Sequence, residues 1–487
     1  MNAIKLLFSC CCFLLPCAWG QGAKPWSYSA EIVAKEGTKL GGNGDEIIIF
    51  DRSSDQVQAQ VTVTAKPKFQ ADPKGEYVEC TARRKYLWES EGGISIKDKN
   101  AQETVCTTTE ESWGKEFEIK VKVQSEIVNS KTEKANAQAT KKAVAPLIKI
   151  KSATFSESGG GNGFIIVDKF QGNPVPTPEF VREGEKADDD KSPIGFYAAQ
   201  KPVYKVEFEV KPASLESITA KCEGGIFSTN EELFEVDEEG IAKGKIEGIQ
   251  IIEKKCQSGP KDKEEVKWSF SIYGMPLACK DEMKINKYYI LLDKGNGDRP
   301  WKNLLKAAFD TWDIEGAESQ QQLVDRLSTG ISTNDLYNDN FNAETGQTSS
   351  LYITQRKYPQ SNSVSIGKMV DACAAGKRKA KIICAEAAAL LKYTADVLGK
   401  ANVDGRSVIW TEWKNVANPI TGTQEKKTWK EGHAYCLFGE LVQNPVPEAG
   451  GPTNKGEREY INKELKEGHA ERENFQEPEP MIFEFKE

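Results

Sequence analysis

A β-type pattern occurs twice within the first 290 residues, and this repeat limits the fold more than any other feature. Gly41-Gly42-Asn43-Gly44 runs into Asp45-Glu46-Ile47-Ile48-Ile49-Phe50-Asp51, and Gly160-Gly161-Asn162-Gly163 runs into Phe164-Ile165-Ile166-Val167-Asp168. In each copy an alternating segment follows, with Lys66-Pro67 or Lys211-Pro212 after it. A cysteine comes next (Cys80 or Cys222), then a second (Cys106 or Cys256), then a segment carrying Trp113 and Phe117 or Trp268 and Phe270. Apolar residues alternate with polar ones at Val57, Ala59, Val61 and Val63, at Phe117 to Val123, at Val206 to Val210 and at Val266 to Ile272. This period of two is that of half-buried strands with one face on a core.

Two such copies predict two β-sandwich modules that look immunoglobulin-like, spanning 22–128 and 144–284. The polar stretch 129–143 lacks apolar periodicity and reads as the linker. An insertion around 171–200, rich in Pro, Asp and Lys, reads as an exposed loop in the second copy. Matching cysteine positions predict one disulfide per module, Cys80–Cys106 and Cys222–Cys256. Loops of about 27 and about 35 residues would each gain ~3–4 kcal/mol from closure.

Disulfides need an oxidising compartment, and the N-terminus predicts export. Lys5 precedes an apolar run from Leu6, and Ala18-Trp19-Gly20 places small residues before Gln21, so 1–20 reads as a signal peptide. Its apolar run of about 14 residues is shorter than the ~20 that span a bilayer. Pro16 stands where a lipoprotein signal carries a small residue, which disfavours anchoring through Cys17. The expected location is secreted, periplasmic or cell-surface, with no transmembrane segment.

Charge and histidine content narrow the chemistry. A net charge of −8 with both signs interspersed leaves no footprint for nucleic acid. The chain has only two histidines, His433 and His469, which excludes a multi-histidine metal site. The glycine runs precede strands rather than helix N-termini, so they lack the context of a phosphate cradle and disfavour a nucleotide role.

From about residue 285 the pattern turns helical. Leu304, Leu305, Ala308, Phe309 and Trp312 form one stripe, continued by Leu323, Val324 and Leu327. The polar stretch 333–363 reads as a long loop. Cys384, Ala388, Leu391, Ala395 and Leu398 then fall on one face of a helix that Gly399 is placed to end. Cys384 lies in its first turn, where unpaired N–H groups and the dipole lower a thiol pKa. The basic residues Lys377-Arg378-Lys379 and Lys381 precede it.

His433 lies in Gly432-His433-Ala434-Tyr435-Cys436-Leu437-Phe438, which reads as a strand. Gly439-Glu440 forms a turn, and Leu441-Val442-Gln443-Asn444 returns. If Phe438 pairs with Leu441, Tyr435 faces Asn444, and His433 and Asn444 share a face on a diagonal. Cys436 and Gln443 point the other way. An amide beside imidazole can fix its tautomer. His469 sits in a charged tail, 451–487, and reads as a surface residue; Met481 to Phe485 alternates like an edge strand. Cys279, Cys373 and Cys436 are odd in number and cannot all pair.

Cys384-x-x-x-Ala388, Leu390-Leu391, Leu398-Gly399 and Gly432-His433-Ala434 resemble the transglutaminase-like superfamily. So, more weakly, does the lead-in Tyr288 to Leu292, Pro300-Trp301 and Leu304 to Trp312. The resemblance covers about 285–450 and implies a papain-like α+β domain with Cys384 as nucleophile, His433 as base and Asn444, in place of the family's usual Asp, as the orienting residue. It implies acyl transfer or hydrolysis on protein or peptide carboxamides, including cell-wall peptide, without a cofactor. The other reading is a non-catalytic surface binder that keeps the fold.

Overall fold

The computed structural model describes the chain apart from residues 1–26, 37, 42–46, 52–57, 71–77, 80–82, 128–132, 155–162, 176–180, 183–192, 251, 260–264, 285–286, 297–298, 338–340, 343–346, 349, 358–360, 418–423, 448–449 and 468. The signal segment, Cys17, Cys80 and most of both glycine runs fall outside the described residues. The protein is mostly β, with 49% strand and 19% helix. Among the described residues no helix is long and apolar enough to cross a membrane.

The first β unit encloses one core between two sheets. One sheet runs in the order Ser27–Ala34, Gln60–Gln70, Glu103–Thr108, Ile94–Ile96; the other runs Leu40–Gly41, Ile47–Ile49, Glu133–Ala145, Lys115–Ile127, Arg83–Ser90. Ile32, Val63 and Ala65 meet Ile48, Trp88, Ile119 and Val121 between them. The expected linker is therefore not one. Glu133–Ala145 pairs with Lys115–Ile127 along its whole length and, in parallel, with Ile47–Ile49. The alternating core positions there are alanines (Ala139, Ala143, Ala145) broken by Lys141, too small to register as an apolar stripe.

The second β unit packs Phe208 against Trp268 and Phe270, with ring centroids 5.3 and 5.6 Å apart. Cys222 lies in this core, opposite Trp268 in the strand register. Cys256 does not: it is buried in a different core, against the C-terminal unit, its N–H donating to Ala317 O at 2.8 Å. The Cys222–Cys256 bridge is thus corrected, since both remain thiols on separate cores. Cys106 is also a buried thiol, pushed up to about 12 by burial. Nor is the 171–200 insertion all loop, because Ile194–Tyr197 is a strand that buries Ile194 and Phe196.

That strand pairs in parallel with Tyr288–Leu291, all four of whose residues are buried. Side chains alternate across a strand. Tyr288 and Ile290 accordingly enter the core of the second β unit, while Tyr289 and Leu291 enter the C-terminal core. The boundary expected at residue 285 therefore falls beside a strand that serves both units.

The C-terminal unit sets the helices Gln320–Asn334, Ile366–Ala374 and Cys384–Gly399 against a six-stranded sheet. Its principal order is Gly451–Gly456, Leu441–Asn444, Gln424–Phe438, Asp404–Ala417, Arg472–Glu473. The polar stretch 333–363 also carries strands. Leu336–Tyr337 pairs with Lys381–Ile382, and Ile353–Lys357 pairs with Ser361–Ser365. The last strand, Phe483–Lys486, joins Ser361–Ser365 in parallel. Asp335, buried just past the first of these helices, accepts Trp312 Nε1–H at 3.3 Å and the Cys373 thiol at 3.7 Å on Oδ2. Its Oδ1 has no partner among the described residues, and burial pushes the carboxyl up to about 7.

Candidate active site

The Cys384 helix starts where Ile383 turns extended, with φ −95° and ψ 170°. Ile383 has no side chain to cap the helix. Instead Glu386, three residues on, reaches back and accepts the Ile383 N–H at 2.9 Å, which is one half of a capping box. Glu386 is fully buried and holds more than the helix start. Its other oxygen accepts the N–H groups of Tyr352 (2.7 Å) and Ile353 (3.3 Å) and the Ser350 hydroxyl. A carboxylate bonded in this way can be buried at tolerable cost, and it binds the 350–353 segment to the helix start. Ala388, Leu391, Ala395 and Leu398 are fully buried. The helix ends one residue later than expected: Lys400, at φ +54°, takes the left-handed position, while Gly399 stays helical. Glycine is needed at 399 for space, since a Cβ there would stand 2.3 Å from Leu323 Cδ2.

The hairpin aligns Phe438 with Leu441 and Cys436 with Gln443 around the Gly439-Glu440 turn. This register brings the side chains of His433 and Asn444 together, with Nε2 3.2 Å from Oδ1. An amide oxygen only accepts, so Nε2 carries the proton and Nδ1 keeps its lone pair. Burial, opposed by the Asn444 bond and helped by the charge of Arg472, pushes the imidazole down to about 4. At neutral pH the ring is therefore a neutral base.

The opposite face of the same strand meets the helix. Ala434 and Cys436 are buried in the helical core, and Cys436 Sγ donates to Ala388 O at 3.3 Å. Burial pushes this thiol, and that of Cys373, well above its ordinary range. Neither is bridged to the other. The helix body thus lies on the Cys436 face and the imidazole stands on the other. Cys384 is half-buried at the helix start and packs on the edge of the helical core. The basic residues Lys377, Arg378, Lys379 and Lys381 before it are exposed.

One group responds to both Cys384 and His433. Tyr460, 2% exposed, places its hydroxyl 3.1 Å from His433 Nε2. Its phenol is pushed up by burial first, then by the charges of Glu464 and Cys384. Tyr460 ends the short helix Glu457–Tyr460, which continues as Ile461–Lys466. Glu457 anchors that helix: Oε1 accepts Tyr435 OH at 2.8 Å and Arg406 Nε–H at 3.0 Å, and Oε2 accepts a second Arg406 N–H at 3.2 Å. These residues fall in the segment read as a charged tail. The signal for them was the buried trio Tyr460, Ile461 and Leu465 at helical spacing among charges. His469, in the same tail, pairs with Glu471 at 3.1 Å on the surface.

Among the described residues no group of three His, Cys, Asp or Glu side chains is placed to hold a metal ion. No protein-family model matches the chain, and a search of curated proteins finds no match.

Proposed function

We propose that the C-terminal unit is a transglutaminase-like, papain-like cysteine domain that transfers acyl groups from protein or peptide carboxamides. The two β units before it are read as immunoglobulin-like modules of an exported protein. The single observation that carries the reading is the 3.2 Å contact between His433 and Asn444. It gives a neutral imidazole a defined tautomer, beside a helix that begins at a cysteine.

In this reading the Cys384 proton passes to His433 Nδ1 as the sulfur attacks the carboxamide carbon. The C–N bond breaks as that proton moves to the leaving amine, leaving a thioester on Cys384. Water or a second amine then attacks the thioester, gives its proton to His433 and releases the acid or a new amide, and the thiol recovers the proton. Asn444 holds the ring throughout, and the backbone N–H of Cys384 donates to the oxyanion. Cell-wall peptide is one substrate of the required chemistry. A binding role without catalysis is the second reading, favoured by the helix body lying on the strand face opposite the imidazole.

Iodoacetamide labelling at neutral pH, with peptide mapping, tests the reading. Cys384 should label at least about tenfold faster than a cysteine in the unfolded chain, with the buried thiols at 106, 256, 373 and 436 lagging, and His433→Ala should remove the excess. Labelling of Cys384 at the unfolded rate, unchanged in His433→Ala, overturns it.

A further inference from the structure

The imidazole has a second neighbour whose position is built from three separate elements. The Tyr460 hydroxyl lies 3.1 Å from the same Nε2 that faces Asn444 Oδ1. It reaches that place because Glu457, one helical turn earlier, is held by Arg406 of one strand and Tyr435 of the next. Tyr435 stands two residues from His433, on the same face of the same strand, and its ring lies 6.1 Å from the imidazole and 5.4 Å from the Tyr460 ring. The Arg406–Glu457–Tyr435 clamp therefore fixes the helix and the strand face to each other, and Tyr460 with them. We infer that Tyr460 is a positioning residue for His433, and that the helical segment 457–466 is part of the active site rather than a tail.

The chemistry follows from Nε2–H facing two acceptors, the amide oxygen and the phenol oxygen. A ring held by one bond can still rotate about it, whereas two acceptors on one N–H fix the ring plane and the direction of the Nδ1 lone pair. Losing one such bond should cost a reaction that depends on that direction about five- to tenfold. This inference rests on the acyl-transfer reading, and the two fail differently.

Having only two histidines makes the test direct. In full-length protein labelled with ¹⁵N-histidine, His433 and His469 give two imidazole signal sets, and His469, half-exposed and paired with Glu471, is the reference. Wild type should show His433 fixed in the Nε2–H tautomer. Tyr460→Phe keeps the ring packing and removes the hydroxyl. It should weaken the preference for the Nε2–H tautomer, which Asn444 alone then supports, and slow Cys384 alkylation about five- to tenfold. Glu457→Gln leaves the hydroxyl but weakens the clamp, and should move both readouts in the same direction by less, so it still decides the matter if Tyr460→Phe folds poorly. If His433→Ala slows alkylation while Tyr460→Phe and Glu457→Gln keep the wild-type tautomer and rate, the inference falls and the reading stands. If His433→Ala changes nothing, the reading itself falls.

Discussion

Ala434 and Cys436 stand on one side of their strand, His433 and Tyr435 on the other. On one side the strand meets a helix of alanines and leucines, with the Cys436 thiol bonded to a backbone carbonyl and burial holding it protonated. On the other side the imidazole touches an amide and a phenol, and the next ring along touches a carboxylate. A thiol and an imidazole three residues apart thus have different surroundings, one bonded to a backbone carbonyl inside the helical core and one bonded to polar side chains. The side of the sheet decides whether a side chain here meets the apolar core or polar partners.

Putting a charge on the dry side should break the contrast most severely. Ala434→Asp leaves a buried carboxylate without a partner, which costs more than about 3 kcal/mol. The expected outcome is loss of the C-terminal unfolding transition in calorimetry. The dry core also holds the carboxyl of Asp335, whose proton burial makes harder to lose. Its folded pKa of about 7 stands above an ordinary 3.8, so the folded state binds the extra proton and stability falls as pH rises from about 4 to about 7. The loss is at most about 4 kcal/mol. Asp335→Asn should match wild type near pH 4 and exceed it at pH 8 in urea unfolding. The polar side carries the opposite dependence. His433 titrates near 4 when folded against an ordinary 6.5, so its contribution is present above pH 6.5 and is lost as pH falls towards 4. His433→Gln should flatten that slope by about 2–3 kcal/mol, read as the urea midpoint at pH 4 against pH 7.

The contrast between the two sides was legible in the sequence because a strand has period two and the Gly439-Glu440 turn fixes the register. From these alone His433 and Asn444 fall on one side and Cys436 and Gln443 on the other. Tyr460 and Glu457 were not legible, because their contacts join distant segments and their neighbours are mostly charged. Glu386 was hidden for a related reason: inside an apolar helix a single carboxylate reads as a solvated position, and only the fold shows the 350–353 segment closing over it. In the β units, large residues such as Trp268 and Phe208 announced their strands. The alanine strand 133–145 did not, since its inward side chains carry little apolar area. The Cys222–Cys256 bridge failed because a repeat in sequence does not oblige both cysteines of a copy to enter one core.

The strand Tyr288–Leu291 adds a consequence for how such a chain can change over generations. Its alternate residues belong to two cores, and Phe164, Ile166, Phe170 and Cys256, from the region of the second β unit, line the core that supports the Cys384 helix. Exchanging that β unit for an unrelated one would strip this lining as well. Removing the second β unit alone should therefore destabilise the Cys384 helix. The first β unit lends Ile49 and Val144 to the core of the second but no residue to the core under the Cys384 helix, so its loss should disturb that helix far less.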